Sequence, residues 1–127
     1  MQTLEKRKLN LLVHLAKVDG RFEKSEQELL KLFVREKGLD ESQLHDEEHP
    51  IKLSDFTHSG EKIELLHWAL RLIQADKIIH DKEVLFCKNL ASKLNFKPEI
   101  IDHYAHSSLP EYAAFEHEVK SFWLAGL

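Results

Sequence analysis

Four carboxylates are the groups in this chain best spaced to do chemistry. Glu26 follows Asp19 by seven residues, and a shift of fifty-seven residues brings Asp76 and Glu83 onto them at the same spacing. Gathered in one place, four such groups would repel and raise one another's pKa. A divalent cation relieves that repulsion, and hard cations such as Ca²⁺ and Mg²⁺ take oxygen ligands. The same spacing also has a purely structural use. An Asp can close one helix while a Glu in the first turn of the next bonds the N–H groups left free at its start. Neither stretch is an EF-hand. Counted from Asp19, the alternate positions are Arg21, Glu23, Ser25 and Gln27, and the twelfth is Leu30. On sequence alone both uses stay open.

The histidines offer less. His45 and His49 stand four apart, the spacing zinc uses on a helix. Here Asp46 takes the place of the usual Glu, Pro50 follows at once, and the segment reads as a solvated acidic loop. His103 and His106 stand three apart late in an expected helix, where a protonated ring suits the negative end of the dipole. His14, His58, His67, His80 and His117 are scattered. No Ser/His/Asp order and no glycine-rich phosphate loop can be read. Cys87 is the sole cysteine and lies among apolar helix positions, which points to a reduced, buried thiol. The aromatic residues Trp68, Phe115, Phe122 and Trp123 sit at helical spacing and read as core, with Trp123 half covered near the end of a last helix. These readings favour a non-enzymatic protein. The competing expectation is a metal-dependent hydrolase whose acids and histidines converge in one cleft.

The elements that must position these groups are helices. At 127 residues, with 43% hydrophobic and 31% charged, the chain suits one soluble domain over 1–127. A net charge of -4 argues against nonspecific nucleic-acid binding. Residues 40–64, with eight acids and two bases, are the only strongly polarised stretch. No apolar run reaches membrane-spanning length, and Met1 to Lys6 has no apolar core of the signal-peptide kind. A cytoplasmic protein is expected.

Helical spacing predicts a first helix capped by Thr3 and running to about Lys17, with Leu4, Leu11, Leu15 and Val18 along one stripe and Leu12 and Ala16 beside it. A second starts near Lys24 and stops at Lys37-Gly38. Asp40 could cap a turn or two through Leu44, and a loop docked by Ile51, Leu53 and Phe56 follows. The third helix, capped by Ser59, runs to Ala75 and is apolar nearly all round, with Leu66, Leu70 and Ile73 expected in the core. Asp81 is expected to cap a fourth helix to Leu94, and Asn95 stands where Gly38 stands in the first copy. Pro98 opens a short helix, and a last one is expected from Pro110 to Leu124. This is an all-α bundle of six to seven helices built on two related helix pairs, residues 9–39 and 66–96.

The repeat extends well beyond the acids. Val13, Leu15 and Ala16 pair with Leu70, Leu72 and Ile73, and Leu29, Phe33, Val34 and Leu39 pair with Phe86, Leu90, Ala91 and Phe96. With its apolar helix ending in Val18-Asp19-Gly20, Glu26 seven residues after Asp19, and a second copy holding Asp76 and Glu83, the stretch from Leu9 to Leu94 resembles the TerB-like family of tellurite-resistance domains. The resemblance implies a compact helical fold, a bacterial cytoplasmic setting and a link to tellurite and general stress resistance. It also implies a divalent metal (Ca²⁺, Mg²⁺ or Zn²⁺) at Asp19, Glu26, Asp76 and Glu83. One departure stands out: Lys77 occupies the place of a second glycine, and its ammonium could neutralise part of an acidic cluster. The expectation is a binding or scaffold module with protein partners.

Overall fold

A computed structural model describes residues 4–18, 20, 22–40, 56, 59–75 and 79–122. Among these, the chain forms six α-helices: α1 (Leu4–Lys17), α2 (Lys24–Glu36), α3 (Ser59–Ala75), α4 (Asp81–Lys93), α5 (Glu99–Ala105) and α6 (Tyr112–Glu118). A 3-10 turn, Val119–Phe122, ends the described chain. The all-α bundle expected from the sequence is therefore present. No described helix is long and apolar enough to cross a membrane.

α3 is the axis of the bundle. It packs against α1, α2, α4, α5 and α6, as a helix apolar over most of its circumference must. Leu65, Leu66, Ala69, Leu70, Leu72 and Ile73 are buried, as are Ile63 and Trp68. α1 contributes Leu9, Leu12, Leu15 and Ala16 to the same core, α2 gives Leu30, Phe33 and Val34, and α4 gives Cys87, Leu90 and Ala91. Phe56 is buried against this core. The Phe33 and Trp68 rings meet edge-to-face at 5.0 Å, a preferred aromatic geometry.

α2 and α4 correspond residue for residue at the fifty-seven-residue shift. Their N-caps, Glu23 and His80, share an extended backbone, with φ/ψ of -64/152 and -90/143. Their C-caps, Lys37 and Leu94, are also alike at -96/2 and -90/7. Beyond each C-cap the chain turns through the left-handed region, Gly38 and Asn95 both at φ 68. The N–H of Leu39 donates to Val34 O at 2.9 Å, and that of Phe96 to Ala91 O at 2.8 Å. Gly38 and Asn95 donate to Arg35 O and Ser92 O. Both helices thus end in a Schellman motif. Glycine and asparagine are the residues that tolerate this conformation.

Four details differ from the sequence expectations. Asp81 and Ser59 are the first residues of their helices and not caps; His80 holds the cap position of α4. The last helix stops at Glu118 and tightens into the 3-10 turn instead of running on to Leu124. That turn is tied back by the N–H of Lys97, which donates to Phe122 O at 2.7 Å. The buried face of α1 centres on Leu9, Leu12 and Leu15, leaving Leu4, Leu11 and Val18 at its margin. Thr3, Leu44, Ile51, Leu53 and Trp123 lie outside the described residues.

An ion cluster ties α1, the end of α2 and α3 together. Lys8, 1% exposed, lies 3.3 Å from Glu5 and 3.4 Å from Glu64, and Lys37 reaches the same Glu64 oxygen at 2.7 Å. Burial alone would raise the Glu64 pKa, but the hydrogen bond from Lys37 and the charge of Lys8 outweigh it and hold the carboxyl below its ordinary value. Burial likewise works against Lys37, and Glu64 and Glu5 reverse the effect, so its pKa is raised.

Candidate functional site

Two of the four expected metal ligands are described, and both are occupied locally. Glu26 in α2 and Glu83 in α4 are 3% and 2% exposed. The backbone N–H of Glu23 donates to Glu26 Oε1 at 3.1 Å, and that of His80 to Glu83 Oε1 at 3.3 Å. This is the backward-reaching half of a capping box. A carboxylate this deep needs such a bond, because an unpaired buried charge is costly. Asp19, Asp76 and Lys77 lie outside the described residues. Among the described residues no three His, Cys, Asp or Glu side chains converge where a metal could sit. Each described glutamate serves the start of its own helix, and a four-carboxylate centre is not assembled from these two alone.

The remaining reactive types are dispersed. Cys87 is fully buried, and burial, with the charge of Glu83 one turn before it, pushes the thiol pKa far up. Such a thiol is a packing residue, not a nucleophile. His103 is exposed and lies against Tyr104 and Phe122 at ring distances of 4.7 and 5.4 Å. His106 is exposed just past the end of α5. His45, His49 and His58 fall outside the described residues.

A concave feature of the described surface lies elsewhere, an open groove of 1020 Å³. Glu28, Leu29 and Glu36 of α2 form one wall, Trp68, Arg71 and Gln74 of α3 form the floor, and residues 108–112 form the far wall. That far wall is held from below. Gln74 Nε2 donates to Tyr104 O at 2.5 Å and to Ser107 O at 2.9 Å. His67 Nε2 lies 3.0 Å from Pro110 O, so the neutral ring carries its proton on Nε2 and donates there. The Tyr112 hydroxyl donates to Gly60 O at 3.1 Å. Burial lowers the pKa of His67, and the charge of Arg71 lowers it further against the pull of Pro110. The Tyr112 hydroxyl is pushed up to about 12 by burial and by the Glu116 carboxylate, which keeps it a donor.

In the floor, the Arg71 guanidinium lies over the Trp68 ring, its central carbon 4.2 Å from the centroid. This is cation–π stacking. Sequence reasoning counted Trp68 as core, which it is at 5% exposed, but missed Arg71 above it. The available signal was Arg71 three residues after Trp68, a spacing that puts two side chains on one helix face. Sequence reasoning also missed Lys8, which stands four residues before Leu12 and seven before Leu15, on the buried stripe of α1.

Compared with known proteins, the chain matches no protein-family model, no curated protein and no solved structure.

Proposed function

We propose that this chain is a non-enzymatic binding or scaffold module of the TerB-like kind, serving a bacterial stress response in the cytoplasm through contacts with other proteins. The groove between α2, α3 and residues 108–112 is the observation that carries this reading. It combines an apolar lining, an aromatic ring, one guanidinium and carboxylates on its rim, the mixture that peptide-binding surfaces use. Its far wall is fixed by hydrogen bonds from α3, so a partner would meet a formed surface. The capping duty of Glu26 and Glu83 supports the same reading, because it accounts for both residues without catalysis.

The family resemblance adds a divalent cation at Asp19, Glu26, Asp76 and Glu83. Calorimetric titration with Ca²⁺, Mg²⁺ and Zn²⁺ tests it on the native chain and on Asp19→Ala and Asp76→Ala. Heat of binding that disappears in both variants supports a shared site; no heat from the native chain removes the cation from the proposal.

The module reading is tested by panning a random peptide library on the purified protein and mapping bound peptides by amide shifts. Shifts gathered on Leu29, Arg71, Gln74 and Tyr112 are expected. A protein that takes no peptide there, and that hydrolyses ester or phosphoester substrates once Zn²⁺ is added, would sink the reading.

A further inference from the structure

We propose that the groove receives an amphipathic helix of a partner protein that offers one carboxylate to Arg71 and a basic residue about one turn to either side. The proposal rests on the binding-module reading above and names the chemistry of the partner.

The Trp68 ring holds the guanidinium carbon 4.2 Å from its centroid, and a guanidinium carries its N–H donors along the edge of its own plane. Among the described residues Arg71 has no carboxylate or carbonyl partner; its contacts are the Trp68 ring and the charge it exerts on His67. The residue is partly buried in a groove that holds three glutamates, yet none pairs with it. A cation held over an aromatic ring, partly out of water and with no carboxylate partner among the described residues, suits a carboxylate arriving in the plane of its fork, which takes two parallel charge-assisted bonds.

The rim favours a ligand of low negative charge. Among the described residues, Glu28 and Glu36 on α2 and Glu111 on the far wall share the groove with a single guanidinium, Arg71. A phosphate dianion or a run of acids would be repelled by them. A single carboxylate bracketed by bases is complementary to all four groups. The spacing follows from α2. Glu28 and Glu36 are eight residues apart, and all the lining residues of α2 lie between Ser25 and Glu36. At the rise of an α-helix the two glutamates stand about 12 Å apart. A partner helix lying along α2 matches them with two basic residues eight positions apart and the acid midway. Leu29, Leu109 and the Tyr112 ring supply the apolar contacts such a helix needs.

The test uses the library-selected peptides and the whole protein. Selected sequences should carry Asp or Glu with Lys or Arg four positions before and after it. Against a fluorescently labelled peptide of that pattern, Arg71→Ala and Arg71→Lys should each weaken binding at least tenfold, and Glu→Gln in the peptide should do the same. The two changes together should cost little more than either alone. Circular dichroism checks that each variant is folded, and Arg71→Lys serves if Arg71→Ala is not. Glu28→Gln with Glu36→Gln, on the exposed wall, should erase the preference for flanking bases and leave the acid preference intact. Peptides that bind in the groove without the acid preference, or equally well to Arg71→Lys, overturn this inference and leave the module reading standing. No peptide in the groove at all overturns both.

Discussion

α2 and α4 begin and end alike, yet they live in different surroundings. Both start with a glutamate reaching back to the cap N–H, and both end in a left-handed residue followed by an apolar anchor. α4 then packs against α1, α3 and α5, whereas α2 has substantial packing only with α1 and α3 among the described residues. The face of α2 that no described helix covers borders the groove. The C-caps diverge too. Leu94 is buried in the core, while Lys37 at the equivalent position reaches Glu64 and joins the ion cluster. Local sequence thus sets how a helix starts and stops, and the later chain decides which copy is covered. Among the described residues α5 covers the second copy, and no corresponding helix covers the first.

The largest effect tests what the two copies share. Leu70 on α3 is fully buried at the centre of the bundle. Leu70→Ala should cost about 2–5 kcal/mol, measured by urea unfolding, and should speed amide exchange in α2 and α4 together. Exchange that rises in one helix alone would mean the two copies do not rest on a common support.

Next comes the difference between the C-caps. Glu64→Gln should cost about 1–2 kcal/mol, toward the low side because water reaches part of the cluster. In the folded chain Glu64 loses its proton below the ordinary 4.5. As the pH falls from 4.5 through that lower value, the unfolded chain binds more protons and stability drops. Stability measured between pH 7 and 3 should therefore fall less steeply for the variant. An unchanged slope would show that the cluster does not hold the end of α2.

Smaller still is the test of the matched starts. Glu26→Ala and Glu83→Ala should each cost about 0.5–2 kcal/mol, in the range of a lost cap. Similar values in the two copies sharpen the equivalence, and a loss confined to one would break it. The smallest effects belong to the helix ends. Gly38→Ala should cost about 1 kcal/mol through its left-handed backbone, whereas Asn95→Gly should change stability by only a few tenths, about 0.3 kcal/mol in either direction. Thermal melts on the pair decide it.

The equivalence of α2 and α4 was legible because caps are local. Gly38 and Asn95, and Glu26 and Glu83, announce helix ends within a few residues of themselves. α3 was legible as the axis because apolar residues cover most of its circumference and leave one narrow polar line, Glu64, His67, Arg71 and Gln74. The exact cap of α4 was not, since histidine is an unusual residue there and Asp81, one place later, is a common one. Lys8 was missed because a charge is counted as surface by composition, and only the helical register shows it beneath Leu12. The groove was not legible at all. Its far wall arrives from residues 108–112, placed by His67 and Gln74 bonding carbonyls some forty and thirty residues away in the chain. No spacing rule joins those segments.

The burial of Cys87 has a practical consequence. A thiol with its pKa raised by burial and by Glu83 does not react while the bundle is closed. With no other cysteine in the chain, a thiol-specific dye must wait for the α4–core contact to open. When reclosing is faster than labelling, the labelling rate scales with the population of open molecules. Each tenfold change in that rate then corresponds to about 1.4 kcal/mol of opening free energy, a factor fixed by RT at room temperature. The molecule carries its own clock for opening, needing no engineered probe, and every variant above can be timed against it under native conditions.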